Sequence, residues 1–315
     1  MTIVEAKSPF HQGELAAQAR AGVESPRGAG IRDFMPDQHR EFFAMLPFLL
    51  VGSADHRGWP TATILAGPPG FVTSPDPRTL IIKAAPTPED PGGNFDAGSQ
   101  VGLLGIDFAT RRRNRANGVV VVREHEGFTV AVEQSFGNCA QYIQARGLDP
   151  VAYSDRHPAE PLAHLDAQAR DRIAGADTFF VATGSGTRGG DRDGIDISHR
   201  GGRPGFVRVD GDTLTIPDFK GNRFFNTFGN LLLEPRAALL FVDFLSGDLL
   251  QLQGKAEVVW DAGDELTRLA GAQRLWRFEI ARGWRRPGAV PLRWRFREFA
   301  PTTEATGTWQ AAASS

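Results

Sequence analysis

The sequence predicts a mainly β protein with flanking helices (α+β), built from two tandem copies of one antiparallel barrel unit. Three observations predict it. The first is an internal echo: "PPGFV" at 68–72 returns as "RPGFV" at 203–207. Thr79-Leu80 is matched by Thr213-Leu214, and "LLGIDF" (103–108) by "LLFVDF" (239–244). The spacings, 70 to 205, 79 to 213 and 107 to 243, are 135, 134 and 136 residues, so only small insertions separate the copies. Solenoid repeats run to roughly 20–50 residues, so this longer period marks duplicated domains. The second observation is punctuation: 36 Gly and 21 Pro divide short apolar runs, the pattern of strands joined by turns. The third is that the gaps are too short for the crossover helices of a parallel sheet.

Each copy opens on a helix. In the first, Pro36 and a capping Asp37 precede Phe42, Phe43 and Leu46, which supply an apolar face until Pro47 stops it. Strand-length runs follow: "FLLVGSAD" (48–55), "TATILAG" (61–67), "GFVTS" (70–74), "TLIIKA" (79–84), "QVGLLGIDF" (100–108) and "GVVVVRE" (118–124). "HRGWP" (56–60) reads as a turn. The second copy repeats the order, with a helix over 162–174 and then "TFFVATG" (178–184), "IDISHRG" (195–201), "GFVRVDGDTLTI" (205–216), "RAALLFVDF" (236–244) and "LLQLQGKAEVVW" (249–260). One helix and about six short strands make a small closed or nearly closed barrel. Between the copies, "GNCAQYIQAR" (137–146) reads as a helix stopped by Gly147, and Asp149–Pro161 as the linker. The units are therefore expected at 1–150 and 151–315. "LRWRFREFAP" alternates Leu292, Trp294 and Phe296 with arginines, so a last strand is expected there, with a disordered tail after about 301.

Composition narrows the function. The net charge of −2 gives no global basic field, so no nucleic-acid partner is expected. A single cysteine, Cys139, excludes an intrachain disulfide and a cysteine-built zinc site, and agrees with a reducing, cytoplasmic setting. Neither a signal peptide nor a membrane span is visible, so no membrane partner is expected. His56, His125, His157 and His164 lack metal-ligand spacing, and no metal site is expected. Cys139, on the helix read over 137–146, reads as a small core residue rather than a redox thiol. Arg111, Arg112, Arg113 and Arg115 form the strongest basic cluster. Without interleaved aromatics it reads as a hairpin tip, with a role at a cofactor edge or for a substrate anion left open. The glycine-rich "TGSGTRGG" (183–190) is not followed by a helix and reads as a hairpin turn.

Function is expected where the copies disagree. After the first "TL" the chain holds Lys83 among Glu89, Asp90 and Asp96. After the second it holds Lys220, Asn222, Arg223, Asn226 and Thr227 as a loop runs into a helix start. Cations, amides, a hydroxyl and backbone N–H groups there can cradle a phosphate, or the loop simply caps a helix. Apolar Ile64 and Leu65 are replaced by His199 and Arg200, a pair that needs either an acid, Asp193 or Asp196, or a ligand. No residue declares itself a general base or nucleophile, so catalytic residues stay unassigned.

The stretch "GDTLTIPDFKGNRFFNTFGNLLLEPRAALLFVDFLSGDLLQLQGKAEVV", with "EPRAALLF" (234–241) and "GKAE" (254–257), resembles the pyridoxamine 5'-phosphate oxidase-like flavin-binding split barrels. The match extends through the repeat to the first copy, and "ATRRRNRANG" and "QSFGNC" are similar to a two-copy subgroup of predicted flavoproteins. The resemblance implies two tandem split β-barrels of the flavin-binding type and an FMN-dependent oxidoreductase. Its phosphate would lie near Lys220, Asn222, Arg223, Asn226 and Thr227, and its ring near Ser198, His199 and Arg200. Related barrels bind FMN, a deazaflavin or haem, so a non-catalytic carrier or sensor is the alternative. The implied partner is a small-molecule electron donor or substrate. The barrels would pair as an intrachain pseudo-dimer, with a homodimer possible, the second copy holding the ligand and the first completing the pair. The loop from Asp218 to Pro235 is longer than the family's spacing, and the substrate residues of true pyridoxamine phosphate oxidases are not recognisable, which argues against that specific reaction.

Overall fold

A computed structural model describes residues 8–23, 30–87, 89–150, 157–186, 193–267 and 269–309. The chain begins with helix α1 (Gln12–Arg20), capped by His11, whose Nδ1 accepts from the backbone of Gly13 and Glu14 while Glu14 Oε2 accepts from His11 N at 2.9 Å. This reciprocal pair is a capping box with histidine in the usual serine position. Helix α2 (Asp37–Met45) follows; Pro36 is its N-cap, and the Asp37 side chain does not cap it. Strands β1 (Phe48–Ala54), β2 (Pro60–Ala66), β3 (Val72–Thr73), β4 (Thr79–Ile82), β5 (Gln100–Asp107), β6 (Arg112–Glu124) and β7 (Gly127–Gly137) form one antiparallel sheet in the order β2-β1-β5-β6-β7-β4-β3.

After β8 (Ala145–Pro150) and β9 (Glu160–Leu162), the pattern repeats as α3 (Ala167–Gly175), β10 (Thr178–Gly184), β11 (Ile195–Gly201), β12 (Arg208–Asp210) and β13 (Thr213–Phe219). Helix α4 (Asn226–Leu233) is inserted here, before β14 (Arg236–Val242), β15 (Leu249–Val259), α5 (Gly263–Thr267) and β16 (Ala272–Arg286). The second sheet runs β11-β10-β14-β15-β16-β13-β12, the same order strand for strand, with β9 added on β16. The duplication read from the sequence is thus a duplication of topology.

Three apolar clusters hold the molecule. One lies inside each barrel, around Leu49, Val51 and Phe128 in the first and around Phe179, Val181 and Trp276 in the second. The third lies between the barrels and joins Phe48, Leu50 and Leu104 to Phe180, Ala182 and Leu240. This arrangement explains why "FLLV" (48–51) and "FFVA" (179–182) are apolar at every position rather than alternating: both faces of β1 and β10 are covered. A buried Leu or Phe contributes about 1.5–3 kcal/mol, so the shared cluster binds the barrels into one body.

Three expectations are corrected. Residues 138–144 do not form a helix. They are turns, with Tyr142 at φ 63°, leading into β8, which pairs with β17 (Leu292–Glu298) in a separate ribbon. The linker expected at Asp149–Pro161 is bordered by strand at both ends, and 151–156 lie outside the described residues. The tail expected to be disordered after about 301 forms a short helix, α6 (Pro301–Glu304), and Trp309 Nε1 donates to Phe206 O at 2.9 Å. Residues 310–315, and most of the turn expected over 183–190, lie outside the described residues.

Candidate functional site

A cleft of about 840 Å³, its open mouth included, lies where the two barrels meet. The second barrel supplies one wall through β11, which presents Ser198, His199 and Arg200, and through the loop from Pro217 to Phe225 that leads into α4. The first barrel supplies Arg113 and Arg115 from β6 and Asn138 from the turn after β7. Alternation along β6 aims Arg113 and Arg115 from the same face of the strand.

Arg115 is the hub. Its Nη2 donates to Ser198 Oγ and its Nη1 to Asn226 Oδ1 at 3.3 Å, and the guanidinium lies 5.5 Å from the Phe136 ring centre. Thr227 Oγ1 donates to the same Ser198 oxygen at 3.0 Å. Arg113 Nη1 donates to His199 Nδ1 at 3.1 Å. An imidazole that accepts at Nδ1 carries its proton on Nε2, and that atom is buried without a partner. Burial, and then the charges of Arg113, Arg146, Arg200 and Arg115, hold His199 well below its ordinary value, so it is neutral at physiological pH. Arg200 and Arg274 share Asp218, at 2.9 and 3.0 Å.

Charge in this cleft is unbalanced. Burial lowers Arg113 to about 9 and Arg115 to about 10, each with help from a neighbouring arginine. The nearest carboxylate to Arg115 is Asp196, at 3.8 Å. The Nε atoms of Arg113, Arg115 and Arg200 are buried without partners. Helix α4 starts on the cleft wall with Phe225 as its N-cap at φ 62° and no side-chain cap, so the positive end of its dipole adds to the field. Tyr142, Phe206, Phe219 and Phe225 line the rest, with the Tyr142 and Phe219 rings 5.4 Å apart. The cleft therefore has a cationic part suited to an oxyanion and an aromatic part suited to a flat ring.

Of the residues singled out in the sequence, Ser198, His199, Arg200, Asn222, Arg223, Asn226 and Thr227 are brought together in this cleft. Asn222 Nδ2 donates to Asn138 Oδ1 at 3.0 Å, and Arg223 reaches the carbonyls of Ala21 and Gly22 at the mouth. Lys220 is not among them. Its side chain is exposed outside the cleft, and its carbonyl accepts from Tyr142 Oη at 3.1 Å. His199 and Arg200 do not pair with Asp193 or Asp196: Arg113 donates to His199 Nδ1, Arg200 donates to Asp218, and the Asp196 carboxylate accepts from Asn117 and Asn230 instead. Cys139 is exposed rather than in the core.

Two contributions were not assigned from the sequence. Arg113 and Arg115 belong to the basic run expected as a hairpin tip, with a role at a cofactor edge or for a substrate anion left open, yet only Arg111 of that run occupies the turn, at φ 55°. The R-x-R alternation was the available signal. Helix α1 is the other. Its Glu14 Oε1 accepts from Asn226 Nδ2, fixing that amide so that its oxygen faces Arg115. Burial, and then Asp196, push Glu14 up to about 8.

The sequence model of the family Pyridoxamine 5'-phosphate oxidase matches twice, over residues 35–160 and 165–287. The two matches span most of the chain, which therefore belongs to this family and carries its split-barrel fold in two tandem copies. Among solved structures, HupZ of Group A Streptococcus is 14% identical, with 37% of this chain and 90% of that one covered at a TM-score of 0.29. A FAD-binding protein from Mesorhizobium loti is also 14% identical, with 41% and 97% covered at a TM-score of 0.28. No curated protein matches the chain. No helix among the described residues is long and apolar enough to cross a membrane.

Proposed function

We propose that this chain is a flavoprotein that holds one FMN in the cleft between its barrels and acts as an oxidoreductase on a small-molecule donor or substrate. One observation carries the reading: two guanidinium groups, the half-buried Arg113 and the buried Arg115, enter the cleft from the first barrel and, among the described residues, meet no carboxylate closer than 3.8 Å. Buried charge without a close partner is costly, and an anionic ligand removes that cost. A phosphomonoester carries close to two negative charges and three acceptor oxygens. The partnerless Nε atoms, the Ser198 and Thr227 hydroxyls and the uncapped start of α4 fit such a group.

In this reading Arg113, Arg115, Ser198 and Thr227 hold the phosphate, with Asn222 and Arg223 at the mouth. Asn226 is a positioning residue, since Glu14 and Arg115 already engage its amide. Tyr142, Phe219 and Phe225 line the apolar part of the cleft and would shield a bound ring from water. His199 stays neutral and keeps a proton at Nε2 on the cleft wall. The flavin, when bound, supplies the hydride or electron chemistry. The exposed thiol of Cys139 fits a reducing, cytoplasmic setting.

The test is reconstitution. Purified chain is incubated with excess FMN, freed of unbound ligand, and its absorption and flavin content per chain are measured, followed by anaerobic mixing with NADH or NADPH. A flavin spectrum, near one flavin per chain and bleaching by reductant support the proposal. Failure to retain FMN, or a Soret band in protein as isolated, overturns it. Retention without reduction by any donor would leave a carrier and remove the oxidoreductase part.

A further inference from the structure

Two barrels of one topology, packed face to face, give every position at their junction a pseudo-symmetric counterpart, and the cleft around Arg115 has one on the other side of the molecule. The strand registers identify the counterpart of each side chain. Val51 opposes Thr63 as Val181 opposes Ser198, so Thr63 stands where Ser198 stands. Leu104 opposes Arg115 as Leu240 opposes Gln251, so Gln251 stands for Arg115. Arg286 opposes Leu249, and Asn138 follows Arg113 in the same way through its backbone bond at 3.2 Å, so Arg286 stands for Asn138.

These three counterparts converge on one group, and it belongs to the chain. The Asp90 carboxylate accepts from Thr63 Oγ1, from Gln251 Nε2 at 3.3 Å and from Arg286 Nη1 at 2.7 Å. Its side chain is 2% exposed and that of Arg286 is 6% exposed. Arg286 Nη2 also donates to Thr87 Oγ1 at 3.2 Å. The segment that carries Asp90 is tied down by Ser53 Oγ, which donates to Asn94 O at 2.6 Å, and by Phe95, packed 5.1 Å from Phe128. An ordinary surface loop has no need of a carboxylate buried against a hydroxyl, an amide and a guanidinium.

We propose that this second cleft is an oxyanion site of the same descent, kept filled by the Asp90 carboxylate, and that removing the carboxylate makes it bind a phosphate-like anion from solution. The proposal stands on the pseudo-symmetry and the Asp90 contacts, so it survives if FMN proves not to be the ligand of the first cleft.

The experiment compares wild type, Asp90→Ala, Asp90→Asn and the double variant Asp90→Ala/Arg286→Met by thermal unfolding in chloride and in inorganic phosphate at matched ionic strength. The first cleft responds to phosphate in every chain, so the difference from wild type isolates the second. Asp90→Ala is expected to melt lower than wild type in chloride and to gain several degrees more from phosphate than wild type gains. The excess is expected to vanish when Arg286 is also removed. Asp90→Asn, which keeps the bulk of the plug, is expected to show a smaller excess than Asp90→Ala. Equal phosphate gains in wild type and Asp90→Ala, or an excess that persists without Arg286, overturn the proposal. If Asp90→Ala does not fold in chloride, its soluble yield on refolding is measured in the two salts, and no better yield in phosphate overturns the proposal equally.

Discussion

Arg115 reaches across from the first barrel to Ser198 and Asn226 of the second, with its guanidinium over the Phe136 ring. A charge-assisted hydrogen bond contributes about 1.5–3 kcal/mol, and about 1.4 kcal/mol is tenfold in affinity. Arg115→Gln is therefore expected to weaken FMN binding by roughly one to two decades. Lys220→Ala, outside the cleft, should leave it nearly unchanged, and equilibrium dialysis of both variants checks the pair. A loss with Lys220→Ala and none with Arg115→Gln would return the phosphate to the loop. His199 gives a pH signature. Its folded value lies below its unfolded value near 6.5, so the unfolded chain binds the extra proton first. Its contribution to stability is full above about 6.5 and is lost as pH falls below that toward the folded value. His199→Gln should flatten this part of the stability–pH curve, as urea midpoints from pH 5 to 7.5 would show; an unchanged slope would mean the imidazole titrates normally. His199 and Arg200 were legible in the sequence because polar residues replaced apolar ones at matched positions. Lys220 was over-read, because a loop has no period to say which way a side chain faces. Arg113 and Arg115 were under-read, because their facing is fixed by the docking of a second barrel.

Helix α1 meets α4 at two glycines. A Cβ on Gly13 would lie 2.2 Å from Gly229 O, and a Cβ on Gly229 would lie 2.6 Å from the backbone of Glu14. Glycine inside a helix normally costs about 0.5–1 kcal/mol relative to alanine, so Gly229→Ala in an open helix would stabilise. Here the clash is with backbone and cannot be relieved by a rotamer. Gly229→Ala is expected to destabilise by about 1–3 kcal/mol, the range for overpacking, and to weaken FMN binding because Glu14 no longer fixes Asn226. A stabilised variant in denaturant melts would show that the helices part freely. Strands β1, β5, β10 and β14 were legible from their unbroken apolar runs. Helix α1 was not, since histidine is an unusual cap. The segment 138–144 was misread because its apolar spacing fits a helix, while the left-handed backbone at Tyr142 forbids one.

At the level of the whole chain, the duplication was legible because the copies keep the same core positions, and the asymmetry of the two clefts was legible as a difference in loop charge and in the polarity of one matched strand. What that difference does is spatial: Asp90 fills one cleft, whereas Asp218 in the other is held back by Arg200 and Arg274. Wild type is accordingly expected to bind one FMN per chain, measured as flavin released on denaturation after reconstitution. A ratio near two would show that Asp90 yields to the ligand.

The bond between His11 Nε2 and Asn230 Oδ1 joins residues 219 apart in the chain, and the bond from Asn226 to Glu14 spans 212. A ribosome adding about 5–20 residues per second needs roughly 10–45 s to cover that distance. Throughout that interval the first helix has emerged and its glycine face has nothing to meet. The first barrel can close on its own, since its sheet is complete by Gly137, but its outer face and the leading helix wait on the second. The cleft thus cannot exist until the second barrel has been made, and a chain interrupted before α4 has neither a ligand site nor a seat for its own beginning.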